Sequence, residues 1–457
     1  MHEKTTCNPG GYSDYRHRLI FKLTLKLEKS FSRRITLLTR LFFRRHTAIP
    51  YILKWLFISG ILGICIGTAS AGFLQSLDWV TAYRETHLWL IALLPFGGLL
   101  IGMLYTHYGK DVEAGNNLLI DTINNPGGTV PLKMAPFVYV GTMVTHLLGG
   151  SAGREGTALQ MAGAIADQFS IPLRLSENDR KVLIIAAIAA GFGSVFGTPL
   201  AGAIFGLEVF LIGRITYAAL FPVIMSATLA DLVTNLWKTH HTHYHIDLVP
   251  AISLPTLLYA LGAGLVFGLC AASFSRLIHT VSALFKAKIS YPPLRPFIGG
   301  ILVALGVWTI GTTNYIGLGI PTILASFEKQ LPAYDFALKM AFTLITLAAG
   351  FKGGEVTPLF FIGATLGNAL SYFVPLPTEL LAGMGFVAVF AGATNTPLAC
   401  TIMAMELFGS GCGVYVAVAC VTSYLVSGHY SIYGRQLIGE PKHSRFSQYM
   451  GKRLNEL

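Results

Sequence analysis

Long apolar runs recur along this chain from residue 51 to residue 428, and short polar or glycine-rich breaks separate them. Examples are YILKWLFISGILGICIGTASAGFL, which starts at Tyr51, and LPTLLYALGAGLVFGLCAASF, which starts at Leu254. Several runs approach the roughly 20 residues that an α-helix needs to cross a bilayer. The alternating segments of about ten residues that are typical of a transmembrane barrel are missing from the sequence. The pattern predicts an all-α polytopic membrane protein.

Charge is concentrated before the first apolar run. The chain is 53% hydrophobic and 12% charged, yet its first 47 residues hold eleven Lys or Arg against three acids. A basic segment beside a first membrane helix stays on the cytoplasmic side. We therefore expect a cytoplasmic N-terminus, with LIFKLTLKLEKSFSRRITLLTRLFF as a basic amphipathic helix on anionic lipid. Because a membrane neighbour explains this charge, we expect no nucleic-acid partner.

Cysteine and histidine give little sign of chemistry. The six cysteines are scattered without a CxxC pair, so we expect small buried residues and no disulfide or metal site. Four histidines lie in KTHHTHYHIDL, residues 238–248, where a metal site is possible but an exposed loop between helices is favoured. No set of nucleophile and base with catalytic spacing accompanies them, so we expect neither an enzyme nor a cofactor.

The chain repeats itself. FGSVFGTPLAGAIFGLEVF at 192–210 matches FAGATNTPLACTIMAMELF at 390–408 in eight positions at a constant offset. GREGTALQMAGA from Gly153 matches GGEVTPLFFIGA from Gly353 in the same order. Within the matching segments, Glu208 and Glu406 correspond and are expected to share a scaffold role. The membrane region is therefore interpreted as an internal duplication, with repeats of about 51–236 and 251–433.

Glycine-led helix starts suggest an anion site. Duplicated halves with Gly- and Pro-interrupted apolar segments are typical of transporters that bind their substrate near the midplane of the membrane. A helix that starts there presents free N–H groups and the positive end of its dipole, which suits an anion. The alternative is that the glycines only allow close helix packing. The candidate starts are residues 113–121, 153–157, 317–321 and 353–358.

Three motifs resemble one family. GREGT, GTPLAGAIFGLE and GGEVTPLFFIGA resemble the signature segments of CLC chloride channels and proton-coupled anion transporters. The resemblance implies a homodimer with a separate path in each subunit, and the small size of the chain suggests a bacterial inner membrane. It also implies a CLC-type fold of two inverted-topology repeats with many tilted, broken helices. The chain then divides into a basic segment 1–47, a membrane transport domain 48–436 and a short cytoplasmic tail 437–457.

Departures from the family motifs favour one branch. Asn116 stands where chloride-transporting members have a serine that contacts the ion, and Val209 stands where antiporters have an inner proton-transfer glutamate. These substitutions resemble the branch that exports fluoride in exchange for protons. Fluoride, protons and the lipid bilayer are then the expected partners. The alternative is a chloride transporter or a chloride channel of the voltage-gated type.

The resemblance also assigns two carboxylates. Glu155 matches the gating glutamate, which carries protons and occupies an anion site when it is ionised. Carboxylates inside a membrane are costly and usually functional. A structural ion pair with Arg154 is the alternative for Glu155. Glu355, the repeat partner of Glu155, is expected to be a second proton station, or else a structural acid at a helix end.

The expected anion path consists of hydrogen-bond donors. Fluoride is small and strongly hydrated, so it needs carboxamide, hydroxyl and backbone donors to replace its water. Tyr433 matches the family's inner-gate tyrosine, and Tyr430 is the local alternative. The residues expected to bind the anion are Asn116, Asn117, Gly156, Val356, Thr357 and Tyr433.

Overall fold

The computed structural model describes residues 48–125 and 128–457. The basic segment 1–47 and its expected amphipathic helix lie outside the described residues. The chain divides into two compact units, one that ends at Phe57 and one that runs from Ile58 to Leu457. The first described helix is α1 (Ala48–Thr86).

The described residues are mostly α-helical. In the first half, α1 and a short 3-10 helix (Leu88–Leu93) are followed by α2 (Leu94–Tyr108), α3 (Asn116–Asn124), α4 (Met134–Leu147), α5 (Glu155–Asp167), α6 (Glu177–Phe196), α7 (Pro199–Glu208) and α8 (Leu220–Leu236). The second half contains α9 (Leu254–Lys288), α10 (Leu294–Ile310), α11 (Ile320–Glu328), α12 (Asp335–Ala349), α13 (Val356–Leu370), α14 (Thr378–Thr394), α15 (Pro397–Phe408) and α16 (Gly413–Val426). Two short strands, β1 (Leu211–Ile212) and β2 (Leu437–Ile438), pair in parallel.

The order of helix lengths repeats. Each half opens with a very long helix, of 39 residues in α1 and 35 in α9. Each half then has a helix of nine residues in the same place, α3 and α11. The predicted duplication is thus visible in the helix bounds.

The predicted helix starts are confirmed. The four glycine-led stretches open α3 at Asn116, α5 at Glu155, α11 at Ile320 and α13 at Val356. Two of these starts follow a glycine with positive φ, +58° at Gly115 and +75° at Gly319. A residue with a Cβ rarely adopts such angles, so glycine allows the chain to turn sharply into each helix.

Long and short helices have different surroundings. In the described part, four segments are long and apolar enough to cross a membrane: Ala48–Thr86, Leu88–Tyr108, Tyr217–Leu236 and Leu254–Lys288. The shorter α13 and α14 lie deep in the protein, where a Cβ on Gly363 would overlap the Gly385 carbonyl oxygen. Short helices with exposed ends are tolerated at membrane depth only where protein or water covers them.

Two carboxylates tie the halves together. Glu406, near the end of α15, accepts hydrogen bonds from the Leu200 and Ala201 N–H groups at the start of α7, at 3.0 and 2.8 Å. Glu208, the last residue of α7, accepts the equivalent bonds from α15, and the bond from Ala399 N is 2.8 Å long. Each helix end is therefore capped by a side chain from the other half, in agreement with the expected scaffold role.

We expect Glu406→Gln to destabilise the protein by ~1 kcal/mol or more, because an amide leaves one N–H group at the start of α7 without an acceptor. The apparent melting temperature in detergent should fall. Glu208→Gln should have a similar effect, and Glu328→Gln, at the exposed C-terminal end of α11, is the matched control. Equal melting temperatures for all three variants would contradict the capping role.

Candidate functional site

Glu155 is fully buried at the first position of α5. Its Oε2 accepts hydrogen bonds from the backbone N–H groups of Arg154 and Thr357, both at 3.1 Å. The Thr357 hydroxyl donates to Oε1. A carboxylate from the first half is therefore held by the N-terminus of α13, a helix of the second half. This is the position in which a helix end binds an anion.

Two glycines bring these helix starts together. Gly153 N donates to the Gly354 carbonyl at 2.6 Å, and Gly354 N donates back to Gly153 at 2.7 Å. A Cβ on Gly354 would lie 2.6 Å from Gly156 N, and one on Gly153 would lie 2.8 Å from Glu155 Oε2. Only residues without side chains allow the two backbones to approach this closely.

Arg154 makes a long contact with Glu155. The Arg154 Nε atom lies 3.6 Å from Glu155 Oε1, which is beyond hydrogen-bond distance. The strongest contacts of the carboxylate therefore come from Thr357 and from backbone N–H groups. The Arg154 side chain also lines a vestibule.

The arginine vestibule is a cavity of about 470 Å³ whose lining includes Arg84, Arg154 and His241. The histidine loop is exposed at His240, His243 and His245, as expected. His241 differs, because it packs against Gly197, where an added Cβ would lie 2.9 Å from the ring. Tyr244 in the same loop is also buried. Burial and the nearby Arg154 lower the pKa of His241 to about 4, so the ring is neutral at neutral pH.

Three of the four candidate helix starts meet. A Cβ on Gly156, in α5, would lie 3.0 Å from Gly354 Cα and 3.1 Å from the Nδ2 atom of Asn116, the first residue of α3. The start of α11 does not join them, because Gly319 and Ile320 line the arginine vestibule instead. Of the four candidate starts for the anion site, the start of α11 is therefore the one that lies apart from the others.

A second cavity of about 170 Å³, the tyrosine cavity, holds four of the residues that the sequence singled out. These are Asn116, Asn117, Glu355 and Tyr433. The Tyr433 ring is buried, and its hydroxyl has no hydrogen-bond partner among the described residues. The same holds for the Oδ1 atom of Asn116. Two buried polar groups without protein partners at one cavity are suited to a polar or ionic guest.

The other expected residues lie beside Glu155. Thr357 binds the carboxylate, Gly156 follows it in α5, and Val356 is fully buried at the start of α13. None of the three lines the tyrosine cavity. Asn117 does line it, but its Oδ1 accepts a hydrogen bond from Arg435 N at 3.2 Å. The expected residues therefore form two adjoining groups, one at the carboxylate and one at the cavity.

Tyr433 is held in place by the segment that follows it. The buried Gln436 side chain donates to the carbonyl oxygens of Val209 and Thr394, both at 2.7 Å. Tyr430 is 42% exposed and stacks under Arg276, whose guanidinium carbon lies 3.9 Å from the ring centroid. Tyr433, and not Tyr430, lines the cavity.

Sequence reasoning missed three polar residues of this cavity: Glu113, Gln160 and Lys352. Gln160 carried a signal, since it is the lone amide in the otherwise apolar run TALQMAGA. Lys352 carried another, as a cation directly before the Gly353–Gly354 pair. Glu113 precedes α3 in a short polar stretch, where an acidic side chain is usually expected to face solvent.

Comparison with known proteins identifies a family. The model of the family described as "Voltage gated chloride channel" matches residues 97–428. A "Chloride/fluoride channel protein" of Pseudomonas syringae pv. tomato is 53% identical over 403 residues, which cover 87% of this chain and 89% of the relative.

Solved structures with the same fold include transporters. The crystal structure of a CLC-type fluoride/proton antiporter is 35% identical with a TM-score of 0.82, and the match covers 84% of this chain and 98% of that one. A slow cyanobacterial Cl-/H+ antiporter has a TM-score of 0.72 at 18% identity, covering 82% and 94%. The latter likeness is one of fold.

Gly354→Ala should destabilise the protein by ~1–3 kcal/mol or more, because its new methyl group would overlap Gly156 N and force the two helix starts apart. Thermal unfolding in detergent measures the effect. Gly262→Ala is the control, since a Cβ there meets nothing within 4 Å. A Gly354→Ala protein as stable as the Gly262→Ala protein would contradict the close approach.

Proposed function

This chain belongs to the voltage-gated chloride channel family, and from that membership we propose that it exports fluoride in exchange for protons. Membrane ion transport is the function of the family. The finer assignment rests on the chemistry of the site and on the similarity to a fluoride/proton antiporter.

The position of Glu155 carries the proposal. Its carboxylate accepts a hydrogen bond from the Thr357 N–H group at the N-terminal end of α13. A halide at this place would accept a hydrogen bond from the same N–H group. Protonation removes the negative charge that the helix end holds, so the side chain can leave and the anion can enter. The ionised carboxylate and the anion therefore exclude each other at one set of donors, and protonation of Glu155 decides which of them is bound, which couples proton binding to anion binding.

Hard, strong donors favour fluoride. The Asn116 amide approaches Gly156 near the meeting point of three helix starts, and the Thr357 hydroxyl reaches the Glu155 carboxylate. Amide and hydroxyl donors replace tightly held water better than an apolar wall does. The second candidate is chloride transport, because the Pseudomonas relative is named as a chloride as well as a fluoride channel.

The proton path is proposed to run through Glu355. Val209, at the end of α7, is buried and apolar, so it offers no proton-binding group. Glu355 lies on the tyrosine cavity and two residues before Thr357, the partner of Glu155. It is therefore the carboxylate best situated to pass a proton between that cavity and Glu155.

Assembly and orientation form a further part of the proposal. We propose a homodimer in a bacterial inner membrane, with one transport path per subunit and a cytoplasmic N-terminus. The excess of basic residues in the first 47 positions supports that orientation. Leu200 and Leu398, at equivalent places in α7 and α15, are 51% and 49% exposed and offer a symmetric apolar surface for a second copy.

Proteoliposomes test the exchange directly. With a fluoride gradient and a simultaneous pH record, the parent protein should move protons against their gradient as fluoride leaves. Glu155→Gln should abolish the proton movement, because an amide of the same shape cannot carry a proton. Glu328→Gln, on the exposed end of α11, should behave as the parent does.

Two outcomes would decide against the proposal. Chloride flux that equals or exceeds fluoride flux without proton movement would favour the chloride channel. Unchanged proton movement in Glu155→Gln would remove Glu155 from the proton path.

A further inference from the structure

We propose that Lys352 is the residue that lets a halide enter the tyrosine cavity while the carboxylates around it are ionised. The proposal deepens the proposed function and rests on it in one respect, namely that the tyrosine cavity lies on the halide path. Lys352 thereby acts as a positioning residue, which sets the charge of the cavity.

Lys352 stands between two cavities. It lies in the turn between α12 and α13 and lines the tyrosine cavity. It also lines a neighbouring cavity of about 210 Å³, the side cavity, together with Tyr105 and Lys286. Among the described residues that line the tyrosine cavity, Lys352 is the only cation.

The ammonium group of Lys352 is held by an aromatic ring and not by a carboxylate. The Nζ atom lies 3.8 Å from the centroid of the Tyr105 ring, a close cation–π contact. In the described part of the chain, no ion pair within 4.0 Å joins it to a carboxylate. An aromatic face stabilises a cation but leaves its full charge to act on the neighbouring space.

A glycine makes this placement possible. A Cβ on Gly141, in α4, would lie 2.9 Å from both Cβ and Cγ of Lys352. The aliphatic part of the lysine therefore passes over a helix surface that has no side chain at that point. This contact and the Tyr105 ring together fix the ammonium at the boundary between the cavities.

The tyrosine cavity contains two carboxylates and one ammonium group. Glu113 and Glu355 line it and attract Lys352, whereas Lys286 repels Lys352 from the side cavity. Arg295 is the other cation of the side cavity. With both carboxylates ionised, the tyrosine cavity has a net charge of about −1 with the lysine and about −2 without it.

This balance has a consequence for exchange. In an antiporter, the halide enters as protons depart, so the cavity must accept an anion when its carboxylates have lost their protons. A cavity that holds two uncompensated carboxylates would repel the halide at that moment. Lys352 offsets one of them and so lowers the net negative charge that the halide meets in the cavity.

The test compares three variants of the reconstituted full-length protein. They are Lys352→Met, Lys352→Arg, and a double variant that combines Lys352→Met with Glu113→Gln. The readout is the halide concentration that gives half-maximal flux, at about pH 7.5 and about pH 5. We expect Lys352→Met to raise it about tenfold at the higher pH, and Lys352→Arg to change it less than about threefold. The double variant, which restores the net charge, should return to within about threefold of the parent.

At the lower pH, the half-maximal halide concentration of Lys352→Met should come closer to that of the parent. The reason is that protonation of the two carboxylates removes their repulsion of the halide. Lys286→Met, which changes only the side cavity, is the matched control and should shift the value less than about threefold. Should Lys352→Met fail to fold, Glu113→Gln alone tests the same balance, and it should lower the half-maximal concentration several-fold.

Three results would overturn the proposal. They are a folded Lys352→Met protein with a parental value, a double variant that is no better than Lys352→Met, and a Glu113→Gln protein with a parental value. If the parent moves chloride without protons, the fluoride/proton assignment fails separately. The same variants then test Lys352 with chloride as the halide.

Discussion

The structure depends on a negative charge held by a helix end. Glu155 is fully buried, and its carboxylate is compensated by the N–H groups of Arg154 and Thr357 and by the Thr357 hydroxyl. Fixed dipoles stabilise an anion in a dry interior without binding it as tightly as a direct ion pair would. The long contact with the Arg154 guanidinium fits this principle, since a close pair would hold the carboxylate in one place.

Glycine and reciprocal capping make that geometry possible. The paired Gly153 and Gly354 let two backbones approach to hydrogen-bond distance where side chains would collide. Glu208 and Glu406 then close the ends of α15 and α7, each across the boundary between the halves. The site is thus a product of the duplication, because the first half supplies the carboxylate and the Arg154 N–H, whereas the second half supplies the Thr357 N–H and hydroxyl.

Much of this could be predicted from the sequence, for physical reasons. Apolar run length fixed the class, and glycine before an apolar run marked the helix starts at Asn116, Glu155 and Val356. The direction in which each helix start points could not be predicted from the sequence. The start of α11 was therefore a candidate for the anion site, although Ile320 lies on the arginine vestibule. Lys352 was missed for a similar reason, since its role depends on Tyr105, which is remote in sequence.

The exchanged caps have a consequence for biogenesis. When the first half leaves the ribosome, the N–H groups of Leu200 and Ala201 have no acceptor, because Glu406 has not yet been synthesised. Unpaired peptide groups are poorly tolerated in hydrocarbon. The start of α7 therefore stays without this cap until α15 has been synthesised, so the two reciprocal caps can form only late in the synthesis of the chain.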